Sequence, residues 1–221
     1  MPRLTYRQRH KRIRQSLEEA WKNSLMPADD PGLREVYASI PRAPICLITS
    51  PLWIDVNQGG ILRLADAYRL ERVDLSPEKD LSIDFSGSMG ARVWQPYRWI
   101  ETDRAIAEAR ADGYRIYGLT LAESSRPAHR ISWTFPAAIV LGEERRGLSK
   151  DVQGLCDELI AIPMFGLMGS LNVGMAAAIA VYEAALALAE QDPNFQPVRN
   201  GSRRLIGLEP ADYADHLREE T

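Results

Sequence analysis

Residues 160–183, IAIPMFGLMGSLNVGMAAAIAVYE, constrain this chain more than any other stretch. They open as a short apolar run, break at Pro163, pass through Gly166 and Gly169, and enter a helix through the partly polar Ser170-Leu171-Asn172. From residue 173 to 189 almost nothing polar follows except Glu183, although Gly174 lowers intrinsic helicity. A helix apolar around most of its circumference must be covered on most sides. Ser170 is placed to cap it, because its hydroxyl can accept from the orphan amides of the first turn. A strand end, a glycine-containing loop and a buried helix together form a place to hold a ligand through backbone groups.

The rest of the chain can supply the cover. Its 221 residues suffice for one domain with extensions, and 45% hydrophobic with 26% charged residues is an ordinary globular balance. The formal net charge of -3 conceals an asymmetry. Residues 1–22 carry Arg3, Arg7, Arg9, Lys11, Arg12, Arg14 and Lys22 against only Glu18 and Glu19. A basic arm on an acidic body suggests a polyanion partner. Cys46 and Cys156 lie in apolar surroundings without CxxC spacing, which predicts buried free thiols in a reducing compartment. The basic start lacks a following apolar segment, so no signal peptide is expected and the predicted location is cytoplasmic. Asn172, Glu183 and Glu190, with the alanine richness between them, favour a buried helix over a membrane span.

Taken in order, residues 5–24 space Ile13, Leu17, Ala20 and Trp21 as one stripe of an amphipathic basic helix, and residues 26–32 read as a linker. Residues 44–49 are a nearly continuous apolar run, as in a strand covered on both faces. DVNQGG reads as a loop leading to a helix with Ile61, Leu64, Ala65 and Tyr68 on one face. Residues 72–75 follow as a strand, 81–94 as a loop, and 102–112 as a helix capped by Thr102 or Asp103 and ended at Gly113. Strands are expected at 114–121, 137–141 and 159–163, with a short helix capped by Ser149 between the last two. Beyond residue 191 the chain turns polar, with Arg199, Arg203 and Arg204, and its last ten residues form an acidic tail. This alternation predicts an α/β fold with a parallel sheet flanked by helices. The expected division is a basic extension over 1–40, a central domain over 41–190 and a tail over 191–221.

Several chemistries are excluded by pattern. There is neither GxGxxG nor GxxxxGK[ST], and no HExxH, paired-cysteine or histidine cluster points to a metal. His10, His129 and His216 are scattered, which argues against a histidine-based triad. Three segments remain, each after a predicted strand: 57–63, 142–147 and 162–172. Ligands bind outside the carboxyl ends of strands in open parallel sheets, so these segments are expected to converge.

Their residues carry a resemblance. N-x-x-x-x-x-R with L-A-D-A, then L-G-x-E-x-x-G-L-S, then I-P-M-x-G-x-x-x-S-L-N-V-x-x-A-x-A resemble the three signature motifs of the SpoU/TrmH family. That family belongs to the SPOUT superfamily of S-adenosylmethionine-dependent RNA 2'-O-ribose methyltransferases. The resemblance covers residues 45–188. The arginine-rich start and S-M-G-A-R-V-W at 88–94 look most like the tRNA (guanosine-2'-O-)-methyltransferase branch. It implies a C-terminal deep trefoil knot, which periodicity could not suggest, with Gly166 and Gly169 permitting its path. It also implies a homodimer that covers the apolar helix.

Matched residue by residue, Arg63 stands for the family's catalytic arginine and Asn57 for its asparagine. Glu144 stands for the glutamate of the second motif, and Ser170 and Asn172 for the serine and asparagine of the third. S-adenosylmethionine would be held by backbone groups around Leu141, Gly142, Ile162, Met164 and Leu171. Plain structural roles stand beside these: Arg63 as a salt-bridge partner, Glu144 as a cap or partner of Arg145 or Arg146, Asn57 as a turn residue, Ser170 and Asn172 as helix-start residues. A guanidinium pKa above about 12 suits Arg63 to electrostatics rather than to accepting a proton. Two features depart from the family pattern: Glu143 after Gly142, and SPLWIDVNQGG without the usual proline-asparagine pair. The implied activity is 2'-O-methylation of RNA, foremost a tRNA D-loop guanosine at position 18. Arg7, Arg9, Lys11, Arg12 and Arg14 would bind phosphates. The alternatives are ribosomal RNA as substrate, or a non-catalytic RNA-binding dimer.

Overall fold

Seven strands form one parallel sheet in the order β3-β2-β1-β6-β4-β7-β5. This computed structural model describes residues 35, 37–77, 85–88 and 90–195. The chain divides into two units, 41–201 and 1–40 with 202–221, and the sheet belongs to the first. The basic helix expected at 5–24, with its arginines and lysines, and the tail beyond residue 195 lie outside the described residues.

The strands are β1 (Ala43–Thr49), β2 (Leu70–Leu75), β3 (Tyr97–Trp99), β4 (Arg115–Leu119), β5 (Arg126–Pro127), β6 (Ala137–Leu141) and β7 (Glu158–Ala161). The helices are α1 (Asp55–Ala67), α2 (Ala91–Trp94), α3 (Thr102–Ala111), α4 (Lys150–Gly154) and α5 (Val173–Gln191). β1 and β6 are the continuous apolar runs APICLIT and AAIVL, and they lie side by side near the middle of the sheet. Every residue of β6 is buried, because helices cover both faces. Pro44 has no N–H to donate, and the pairing of β1 with β2 shifts register between Ala43 and Cys46.

Alternation along the strands builds two cores. Ile45, Leu47, Val73, Leu75, Tyr117, Ile139 and Leu141 face one side with Ile61, Leu62 and Ala65 of α1 and Ala177, Ala180, Val181, Ala184 and Leu188 of α5. Cys46, Ile48, Ile116, Ala138 and Val140 face the other with Ala105, Ile106 and Ala109 of α3. By length and composition α5 could cross a membrane, with a mean hydropathy of 1.6, yet its alanine-rich side packs into the first core. Met175, Ile179, Tyr182 and Leu186 on its other side stay exposed within the chain.

Several boundaries differ from the sequence reading. DVNQGG is not a loop: α1 begins at Asp55, so Asn57 sits in its first turn and Arg63 in its middle. α5 is capped by Asn172 rather than Ser170, and the helix starts at Val173. α3 has no side-chain cap; Thr102 instead donates its hydroxyl to the Thr49 carbonyl at 3.0 Å, tying the helix to the end of β1. Within 81–94 the chain forms a 3-10 turn at Phe85–Ser88 and the short α2. The edge strands β3 and β5, of three and two residues, carry too little pattern to be seen in advance. Gly166 and Gly169 are both exposed, neither has a positive φ, and a Cβ at either would meet nothing within 4 Å. No backbone demand for glycine exists at these two positions.

One buried carboxylate in this unit is held by two arginines. The Asp74 carboxylate, with 0% side-chain exposure, accepts from Arg98 Nε at 2.6 Å and Arg72 Nε at 3.2 Å. Burial and the neighbouring Asp74 carboxylate push the Cys46 thiol well above its usual pKa. Burial likewise raises Cys156 to about 11, with the Asp157 charge adding to it. Both remain protonated at neutral pH, so neither is an activated nucleophile.

Candidate functional site

A cavity of about 420 Å³ opens at the carboxyl ends of the neighbouring strands β6, β4 and β7. Its size falls within the roughly 300–1,000 Å³ of small-molecule sites, and its place beyond the strand ends is where parallel sheets bind ligands. Three connections wall it: residues 119–122 after β4, 141–148 after β6, and 161–176 after β7.

The connection after β6 is shaped by its glycines. Glu143 N–H donates to the Gly147 carbonyl at 3.1 Å, and Gly147 N–H returns to the Glu143 carbonyl at 2.9 Å. This closes residues 143–147 into a tight turn. Gly147 has φ 65°, and a Cβ on Gly142 would lie 2.2 Å from the Gly147 carbonyl carbon. Gly142 cannot take a side chain without moving backbone, and the left-handed φ of Gly147 strains any residue that carries a Cβ. The turn directs Glu144, Arg145 and Arg146 to the cavity.

Glu144 then joins the cavity to α1. Its Oε2 accepts from Trp53 N–H at 3.2 Å, and its Oε1 accepts from Ile54 N–H at 3.2 Å and Asn57 Nδ2 at 2.9 Å. Ile54 is the N-cap residue of α1 and offers no side-chain cap of its own. A carboxylate from a distant segment thus satisfies orphan amides and faces the positive end of the helix dipole. Asn57 Oδ1 accepts in turn from Asn172 Nδ2 at 3.0 Å. Asn172 Oδ1 accepts from Gly174 N–H at 2.9 Å and Met175 N–H at 3.3 Å, capping α5. One relay, Glu144–Asn57–Asn172, therefore links the turn after β6 to the starts of both helices on one face of the sheet.

The residues singled out in the sequence sort by position. Leu141, Gly142, Ile162, Met164, Leu171, Glu144 and Ser170 all line the cavity. Asn57 and Asn172 do not line it; they form the relay behind it. Glu144 oxygens are engaged by three N–H donors, which tie the turn after β6 to the start of α1. Arg63 is exposed on α1, outside the cavity wall, and makes no hydrogen bond or ion pair among the described residues. Segment 57–63 therefore reaches the site through Asn57 rather than as a converging loop.

Sequence reasoning missed the wall formed by Leu119, Thr120, Leu121 and Ala122. The available signal was their place at the carboxyl end of the strand expected at 114–121. It also passed over Trp53, which is 57% exposed and whose ring centroid lies 6.0 Å from the Arg145 guanidinium. Among the described residues no group of three or more His, Cys, Asp or Glu is arranged to hold a metal ion.

A parallel sheet between helical layers, with a ligand-sized cavity beyond three adjacent strands, defines an α/β protein with its site at the carboxyl edge. The SpoU rRNA Methylase family matches residues 44–182, and the chain belongs to that family. It is 31% identical over 130 residues to the tRNA (guanosine(18)-2'-O)-methyltransferase of Escherichia coli, covering 58% of this chain and 57% of that protein. The enzyme of the same name from Thermus thermophilus is 33% identical over 131 residues, covering 58% and 67%. The chain thus spans less than two thirds of the Escherichia coli relative's length. A crystal structure of the A. aeolicus TrmH/SpoU tRNA modifying enzyme superposes with a TM-score of 0.66 at 22% identity, covering 87% of this chain and 95% of that one. An AdoMet-bound rRNA methyltransferase from Sinorhizobium meliloti superposes with 0.62 at 25% identity, covering 71% and 60%. The fold is shared with both structures.

Proposed function

We propose that this chain is an S-adenosylmethionine-dependent RNA 2'-O-ribose methyltransferase, and that its foremost substrate is a tRNA D-loop guanosine at position 18. The observation that carries the reading is the cavity at β6, β4 and β7. Its wall includes the 142–147 and 162–172 segments that match the second and third motifs, and the Glu144–Asn57–Asn172 relay ties it to the first. Names of the relatives support the substrate, and an AdoMet-bound relative of the same fold supports the cofactor.

The cavity suits that cofactor. Ile162, Met164 and Leu171 offer apolar area to an adenine and ribose, with Leu141 and Gly142 beside them in the cavity wall. When bound, S-adenosylmethionine supplies a methyl on its sulfonium sulfur, taken by the ribose 2'-oxygen with loss of the hydroxyl proton. The protein positions both reactants and excludes water between them. Ser170, on the cavity wall, is available to hydrogen-bond either reactant. Arg63 acts as an electrostatic group: its permanently charged guanidinium binds the phosphate beside the target ribose and lowers the hydroxyl pKa. The proton leaves through that phosphate or a water.

The same reading includes the trefoil knot, a homodimer and a cytoplasmic location. Phe165, Leu167 and Met168 at 104%, 106% and 78% exposure adjoin the exposed side of α5, where Met175 stands at 63% and Tyr182 at 49%. A second copy covering this patch would bury apolar surface that the single chain leaves in water. The basic residues at 1–22 and Arg199, Arg203 and Arg204 would bind phosphates. Mapping ribose methylation in RNA from a deletion strain against wild type tests the whole. Loss of one 2'-O-methyl group in tRNA supports it, loss in ribosomal RNA moves the substrate, and no loss overturns the enzymatic reading.

A further inference from the structure

We propose that Trp53 is a stacking platform for a nucleobase of the RNA, placed beside the mouth of the cavity and partnered by Arg145. The inference rests on the RNA-methyltransferase reading above and names how this chain holds its substrate. Trp53 is 57% exposed, next to Ile54 at 52% and three residues before Val56 at 60%. An indole left in water forgoes the burial that usually decides where tryptophan sits. Its backbone is nevertheless held: Trp53 N–H donates to Glu144 Oε2 at 3.2 Å, and Glu144 lines the cavity. The ring is thus carried beside the cavity by the carboxylate that caps α1.

Charge around the ring selects the occupant. The Arg145 guanidinium lies 6.0 Å from the ring centroid, and Arg145, Arg146 and Lys150 share the same cavity wall. Of the facing acids, Glu144 has its oxygens engaged by three N–H donors, leaving Glu143 as the other carboxylate on that wall. An aromatic face flanked by cations is the arrangement that binds single-stranded nucleic acid: the ring stacks on a base while the guanidinium meets the backbone. A second copy of the chain fits less well, since the apolar surface proposed for it lies on α5 and residues 165–168.

The test uses the full-length chain, its W53A and W53F variants, and a fluorescently labelled pool of unmodified tRNA transcripts. W53A should weaken tRNA affinity about five- to hundredfold, the range for losing one base–aromatic stack. W53F should stay within about threefold of wild type because any aromatic face can stack. Both variants should keep the wild-type melting temperature, elution volume and S-adenosylmethionine affinity. Unchanged tRNA affinity in W53A, equal losses in W53A and W53F, or a loss that tracks altered elution would each overturn the proposal. Methyl transfer to tRNA by the wild-type protein is read separately, so failure of the enzymatic reading shows there and failure of the platform shows in the W53A titration.

Discussion

Asn172 Nδ2 donates to Asn57 Oδ1 at 3.0 Å, joining two residues 115 positions apart in the chain. Because Asn172 also caps α5 and Asn57 also donates to Glu144, the contact holds three segments of the site in one arrangement.

Replacing Asn57 tests that arrangement. N57A removes both bonds and should cost about 1–2 kcal/mol at any pH. N57D instead sets a second carboxylate against Glu144, which raises the pKa of one member of the pair. Its penalty is fully present above the raised folded-state pKa and vanishes below the ordinary carboxylate value of about 4. Denaturant melts of both variants at pH 5 and pH 8 should therefore show a pH-dependent loss in N57D alone.

Arg63→Lys keeps the charge and loses the planar fork. Since Arg63 is exposed and unpaired among the described residues, stability should change by less than about 0.5 kcal/mol. Turnover should fall at least about a hundredfold while S-adenosylmethionine affinity stays within about threefold, because the lost interaction is with the reacting ribose and its phosphate. Near-wild-type turnover would remove Arg63 from the chemistry.

A charge on the exposed side of α5 tests the proposed dimer. Ile179 is 38% exposed and lies one turn from Met175 and three residues from Tyr182. I179E should leave the monomer fold intact, since its neighbours Ala180 and Val181 make the core contacts. Light scattering at micromolar concentration should show a dimer for the wild type and a monomer for I179E, and a monomeric wild type would overturn the proposed dimer.

Removing residues 1–22 deletes seven basic side chains and two acidic ones. The truncated protein should lose at least about tenfold in tRNA affinity at low salt, with a shallower dependence on salt concentration. Calorimetric titration should show its S-adenosylmethionine affinity unchanged. Equal tRNA affinity with and without the arm would rule out this role.

Asp157 carries an acid-sensitive part of the stability. Burial pushes its pKa up, but the bond from Arg110 Nη1 at 2.6 Å and the amide of Ile116 at 2.8 Å outweigh it, and the carboxyl sits below its ordinary range. A depressed folded-state pKa gives stability that is fully present above about pH 4 and lost as pH falls through the lower value. D157N should cost about 1–2 kcal/mol at pH 7, and its difference from wild type should shrink below pH 4 in denaturant melts.

Much of the fold was legible because it rests on local pattern. The runs at β1 and β6 are apolar without alternation, which only strands covered on both faces require. The five cavity residues Leu141, Gly142, Ile162, Met164 and Leu171 were implied by the family resemblance, and all of them line the cavity. Strands β3 and β5 were not legible, since two or three residues show no period and exist only because β2 and β7 offer them an edge. The true start of α1 is hidden in the sequence because Gly59 and Gly60 look like loop residues, and the carboxylate that caps it comes from Glu144.

The sequence by itself therefore determined the class of fold, the family and most of the cavity wall, all of which depend on neighbours within a few residues. Tertiary structure alone decided that Asn172 rather than Ser170 caps α5, that Glu144 is engaged in holding α1, and that Arg63 stands outside its own chain's cavity wall. The physical reason is range. A hydrogen bond formed across 87 or 115 residues, as from Asn57 to Glu144 or from Asn172 to Asn57, depends on where the sheet brings its strand ends, which no window of residues contains.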